Sequence, residues 1–133
     1  MKISNILSKI TFTSTPSVNR NGNHVYEALA SQSISLESVI PGYIIAPNER
    51  VAHLEIGVGP TERDCILDSY TISHLQGNGI ASALYAYVVQ VRGSIRTDVR
   101  FQSPSAKKLW EYLEQNPQFV IEKINFYKRL SIR

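Results

Sequence analysis

The six residues Gln76-Gly77-Asn78-Gly79-Ile80-Ala81 sit between a strand-like run and a helix-like run, and this placement constrains the fold most. Ahead of them, residues 65–73 are rich in β-branched and aromatic side chains and read as a strand. Behind them, Ile80, Leu84, Val88 and Val91 recur at helical spacing, with Ala83 and Tyr87 widening the apolar stripe. Two glycines at such a junction let the backbone turn tightly and approach a ligand closely. The first turn of the following helix offers unpaired N–H groups and a partial positive charge, both suited to a phosphate. The junction is therefore a candidate phosphate cradle.

Two common phosphate motifs do not fit it. A nucleotide-triphosphate loop requires a lysine after its last glycine, and none follows Gly79. A dinucleotide fingerprint requires a third glycine or alanine where Ser82 stands, and a βαβ repeat with a ribose-binding acid. Further along, Gly93 is placed to stop the helix. Residues 94–100 then alternate, with Ile95, Thr97 and Val99 on one face of an expected strand. Ser103 before Pro104 predicts a capped helix start, after which Ala106, Leu109, Trp110 and Leu113 form an amphipathic stripe.

Gln76, Gly79 and Ala81 match the pattern Gln/Arg-x-x-Gly-x-Gly/Ala, and the segment resembles the pyrophosphate-binding motif of the GNAT superfamily of N-acetyltransferases. Residues 103–113 resemble that superfamily's second recurring stretch, Asn-x-x-Ala-x-x-Leu-Tyr. Ser103 stands for the asparagine and Trp110 for the tyrosine, while Ala106 and Leu109 match. The run from Thr97 to Leu113 looks most like the divergent members found in bacteriophage genomes. The resemblance spans residues 50–125 and implies an α+β fold: a mixed, mostly antiparallel sheet with a helix packed on either side.

The resemblance implies a chemistry. Backbone amides of Gly77, Asn78, Gly79, Ile80 and Ala81, with the Gln76 side chain, would hold the pyrophosphate of acetyl-CoA, and Ser103 would lie at the same site. The strand ending at Thr71, Ile72 and Ser73 would pair with the pantetheine amides. An amine of a small molecule or protein would attack the thioester, and a backbone N–H of that strand would stabilise the oxyanion. As general base, Glu55 on the polar face of its strand and Asp68 on the cradle strand are candidates, although each is also explained as a solvated or paired carboxylate. His53 and His74 are weaker candidates. The superfamily's acid is the tyrosine replaced by Trp110, and an indole supplies no proton. Tyr112 is the nearest phenol on that helix and the remaining candidate, though it lies about 200° around from Trp110. Core packing accounts for Trp110 itself. A protein that binds acetyl-CoA or a partner protein with little or no transfer is the alternative.

The rest of the chain fits one domain. Its 133 residues suffice for one core, with 43% hydrophobic and 19% charged residues typical of a globular protein. Formal charge is +3 with a pI near 9.1 and no basic run, so a nucleic-acid partner is not expected; a polyphosphate cofactor would account for part of the excess. Cys65 is the one cysteine, which excludes an intramolecular disulfide and suggests a cytoplasmic protein with a buried, inert thiol. No His/Cys/Asp cluster has metal-ligand spacing, and no apolar run approaches a membrane span. Monomer and homodimer remain open. In the front half, residues 1–10 suggest a short amphipathic helix, 14–23 a loop or hairpin with an Asn21-Gly22 turn, and 24–30, 33–36 and 43–45 strands. Residues 50–58 alternate as a strand with one apolar face, and 119–121 and 127–130 are further strands.

Overall fold

The computed structural model describes residues 3, 5–37 and 40–133. In chain order they form β1 (Ile10–Phe12), β2 (Ser17–Val18), β3 (His24–Ala30), β4 (Ile34–Ser35), β5 (Ile44–Ile45), β6 (Arg50–Ile56), β7 (Ile66–Thr71), α1 (Ile80–Arg92), β8 (Ser94–Asp98), α2 (Pro104–Gln115), β9 (Phe119–Ile124) and β10 (Tyr127–Ile132). The class is α+β, as expected. Strands β1, β3, β6 and β7 make an antiparallel sheet with β2 on the start of β3; β8, β10 and β9 make a second, and β4 and β5 pair alone.

The alternation of β6 decides which way its sheet faces. Ala52, Leu54 and Ile56 are fully buried, while His53 and Glu55 on the opposite face are half-buried. In α1 the buried arc is Ile80, Leu84, Tyr85, Val88 and Val89. Val91, expected in that stripe, is 45% exposed. It lies in the last turn, about 90° from the centre of the arc formed by Leu84, Tyr85, Val88 and Val89. Gly93 ends the helix as expected, with φ of 95° and its N–H bonded to the Val89 carbonyl at 2.7 Å. In α2 the expected stripe holds, with Trp110 and Leu113 buried and Leu109 packed against the core.

Several element boundaries differ from expectation. Part of the amphipathic helix expected over residues 1–10 falls on Met1, Lys2 and Ser4, outside the described residues. The remainder is a 3₁₀ turn, Ile6–Lys9, and Ile10 already pairs with Ala30 in β1. Ile6 and Ile10 still reach the core, so a turn followed by a strand satisfies the same apolar spacing. The strand expected through Ser73 stops at Thr71, because Ser73–Leu75 coil into a 3₁₀ turn that buries Leu75 completely. The strand expected through Arg100 stops at Asp98, whose carboxylate accepts the Arg100 N–H at 3.0 Å and starts another 3₁₀ turn. Val99 is thereby left exposed instead of sharing a face with Ile95 and Thr97.

Two irregularities of β7 position the site. Glu55 pairs with Asp68 but Ile56 pairs with Ile66, so Leu67 is an extra residue, a bulge in β7. On its other side β7 meets β8 through one parallel bridge, Cys65 to Arg96, with the Arg96 N–H on the Asp64 carbonyl at 2.9 Å. No further pairing joins these strands among the described residues, so from Ile66 onward β7 is an edge.

Candidate functional site

A cleft of about 510 Å³ lies along this edge, a volume suited to a small ligand. Its walls are Ser69 to Thr71 of β7, the junction at Gln76, Gly77 and Gly79, the first turns of α1, and the first turns of α2. Gly77 and Gly79 have φ of 82° and 80°, the left-handed region that favours glycine. Gly79 caps α1, and nothing but the Ser82 hydroxyl, at 4.0 Å, comes near the position of a β-carbon there. The amides of Ile80, Ala81 and Ser82 that follow are those an α-helix leaves without an internal acceptor.

The second helix start faces the same space. Ser103 caps α2 as expected, its hydroxyl accepting the Ala106 N–H at 3.1 Å, and Pro104 opens the helix. Ser103, Ser105, Ala106, Lys108 and Leu109 line the cleft. Two helix N-termini, each with a partial positive charge, thus converge with one lysine on a single cleft. That field selects for an anion.

The expected cofactor-binding residues are distributed unevenly around it. Thr71, Gln76, Gly77, Gly79, Ile80, Ala81 and Ser103 line the cleft. Ile72 and Ser73 do not; they start the 3₁₀ turn behind it, and Ile72 donates its N–H to the Val51 carbonyl at 2.8 Å. The Gln76 amide donates to the Thr71 carbonyl at 3.2 Å, which ties the junction to the end of β7. The Asn78 side chain binds the Leu75 carbonyl at 3.0 Å and accepts the Ile3 N–H at 2.7 Å. Asn78 lines an adjoining cavity with Gly77, Gly79, Ser82 and Tyr112.

That cavity places Tyr112 beside the cradle, whereas Trp110 is 1% exposed and belongs to the core. Glu55 and Asp68 lie together on the other face of the sheet, since they are directly paired and Ser69, facing the cleft, alternates with Asp68. One Glu55 oxygen accepts both the Asn19 amide at 2.8 Å and the Asn23 amide at 3.0 Å. Asp68 bonds the His53 ring at 2.8 Å, and His53 stacks on Tyr70 with ring centroids 5.6 Å apart. His74 packs edge-on against Tyr43 and does not line the cleft.

Sequence reasoning did not single out Ser69 or Tyr85. Both line the cleft, and the Tyr85 hydroxyl bonds the Ser69 hydroxyl at 3.2 Å. Burial raises the Tyr85 pKa above its ordinary value, so the phenol is held protonated. Alternation from Thr71 points to Ser69, and one helical turn beyond Ala81 points to Tyr85. Burial likewise raises the Cys65 thiol, in keeping with an inert role. Three arginines that contribute to the positive charge have internal partners: Arg92 binds Asp64, Arg96 binds the Arg63 and Thr61 carbonyls, and Arg100 binds Asp98. Among the described residues, no helix is long and apolar enough to cross a membrane, and no three His, Cys, Asp or Glu side chains gather as metal ligands. No protein-family model matches the chain, and no curated protein matches it.

Proposed function

We propose that this chain is an acetyl-CoA-dependent N-acetyltransferase of the GNAT type, with the cleft beside β7 as the donor site. The observation that carries this reading is the convergence of the Gly77–Gly79 junction and the α2 start on one cleft along an unpaired strand edge. A pyrophosphate fits the backbone amides of the junction and the first turn of α1, while Lys108 supplies a counter-charge. An extended amide-bearing chain fits the edge of β7 as an added strand would, through the main-chain groups that Ser69 to Thr71 present along that edge.

Strand order adds support. Sheet order β1-β3-β6-β7, then β8-β10-β9, with β7 and β8 parallel and touching at one bridge, gives two parallel strands with a gap between them. The bulge at Leu67 makes β7 irregular two residues before Ser69 of the cleft wall, and bulges recur next to active sites, where they re-aim backbone groups. A bulge amide directed at the thioester carbonyl would stabilise the oxyanion as the amine attacks. The amine would come from the opposite face, where the Asp68–His53 pair can take its proton; Glu55, held by two asparagines, would keep the acceptor's positive charge in place.

Trp110 favours a second reading, a protein that binds acetyl-CoA without efficient transfer, because its buried indole replaces a proton donor. Isothermal titration of the folded protein with acetyl-CoA tests the shared premise, and absence of binding would refute the first reading. Thiol release from acetyl-CoA with a panel of primary amines then separates enzyme from binder.

A further inference from the structure

Tyr85 lines the cleft, and the proposed chemistry leaves it without a task. Its side chain is 1% exposed, yet its hydroxyl reaches Ser69 on the strand edge, 3.2 Å away. On its other side Trp110 packs edge-on, ring centroids 6.2 Å apart at 71°. The Tyr85 hydroxyl donates its proton to the Ser69 oxygen. With its oxygen engaged as acceptor, Ser69 has its hydroxyl proton left to give, and Ser69 is exposed in the cleft. Each donation polarises the next, so the last donor is the strongest.

Resting on the donor-site reading above, we propose that Tyr85 and Ser69 form a hydrogen-bond relay, Tyr85 to Ser69, whose terminal Ser69 hydroxyl protonates the departing thiolate. When the amine nitrogen bonds to the acyl carbon, the carbon–sulfur bond breaks and sulfur keeps its electron pair. The Ser69 proton moves to sulfur while Tyr85, which keeps its own proton, stabilises the serine oxygen through its hydrogen bond. Ser69 regains a proton from water in the cleft, and the attacking ammonium releases one to the Asp68–His53 pair and from there to water, so protons and electrons balance. In this arrangement Tyr85 is a positioning residue for Ser69, Ser69 is the catalytic residue, and Trp110 packs Tyr85 in place.

The test uses the full chain carrying Ser69→Ala, Tyr85→Phe, or both. Ser69→Ala alters an exposed side chain and keeps the proposal testable if the buried substitution harms folding. Acetyl-CoA affinity should be unchanged in each, while kcat falls about 10²-fold for either single variant, the size typical of a lost acid. The double variant should lose no more than the worse single one, as groups acting in series do. A second readout needs no turnover: the thiol of bound CoA, followed by ultraviolet absorbance, should ionise at higher pH in both variants than in the parent protein. Unchanged kcat and thiol ionisation with binding intact, or fully multiplicative losses, would overturn the relay alone. Failure of the parent protein to bind acetyl-CoA or CoA would instead overturn the donor-site reading, and the relay with it.

Discussion

Gly79 offers the sharpest test of where the phosphate sits, because a side chain can be added there with little disturbance. Its φ of 80° suits glycine, and asparagine and aspartate tolerate that region better than other residues. A β-carbon would meet only the Ser82 hydroxyl at 4.0 Å, so Gly79→Asn and Gly79→Asp should each cost about 1 kcal/mol of stability from backbone strain. Against a typical stability of about 5–15 kcal/mol, both should fold. The two side chains are nearly equal in shape and differ by one negative charge. A carboxylate about 6 Å from a bound phosphate is repelled by about 0.7 kcal/mol at the dielectric of water and about 3 kcal/mol at the effective value near a protein surface. Acetyl-CoA should therefore bind the aspartate variant about 3- to 100-fold more weakly than the asparagine variant. Raising the salt concentration should narrow that ratio. Isothermal titration of the two variants, with circular dichroism to confirm folding, measures it directly. Equal affinities would mean that no phosphate lies at the start of α1, and the cradle argument would fail.

Three other outcomes follow from packing and ionisation. Ser103→Ala should lower stability by about 1 kcal/mol in urea unfolding through loss of the Ala106 cap, and Ser103→Asp should preserve it while weakening acetyl-CoA binding. Trp110→Ala, which empties a site 1% exposed, should cost about 3–5 kcal/mol, seen as a lower urea midpoint. Burial raises the pKa of the Cys65 thiol and of the Tyr85 phenol above their ordinary values, so the folded state retains protons that the unfolded chain releases. Stability should fall as pH rises past those ordinary values toward the raised ones, and Cys65→Ala should remove the first part of the decline in a series of urea melts.

What the residues disclosed in advance was mostly local. Ser103 before Pro104, the alternation of β6, and Gly93 beyond Val89 each rely on hydrogen bonds or spacing within a few positions, and each is found as expected. The errors sit where a distant partner decides. Ile10 leaves the expected helix because Ala30 pairs with it, and Ser73 leaves the expected strand because Leu75 is drawn into the core. Val99 breaks alternation where its N–H bonds the distant Phe126 carbonyl at 2.8 Å and Asp98 caps a turn instead of extending β8. At the site, the junction glycines were legible because positive φ has a residue-level signature. Ser69 and Tyr85, 16 positions apart, come together only through packing of α1 on the sheet. Nor does any short pattern announce the Leu67 bulge, which is a mismatch of register between two strands.

The two departures from the superfamily pattern gain meaning from this geometry. Ser103 does what any good cap does at the start of α2, so replacing asparagine by serine leaves the N-terminal field on the cleft intact. Trp110 is different, since it stands where that pattern has a phenol and fills the core against Tyr85. Yet the features that would hold a donor are main-chain features: left-handed glycines, two helix starts and an unpaired strand edge. Such features fix only a few side chains, so the remaining positions are free to vary while the cleft persists. A side-chain acid is tied to one position, and its loss from α2 has to be met from another element or not at all. On the cleft wall α1 and β7 together supply one bonded hydroxyl pair, at Tyr85 and Ser69. Under the proposed function, donor binding is therefore the more robust property of the architecture, and turnover depends on whether those two hydroxyls act.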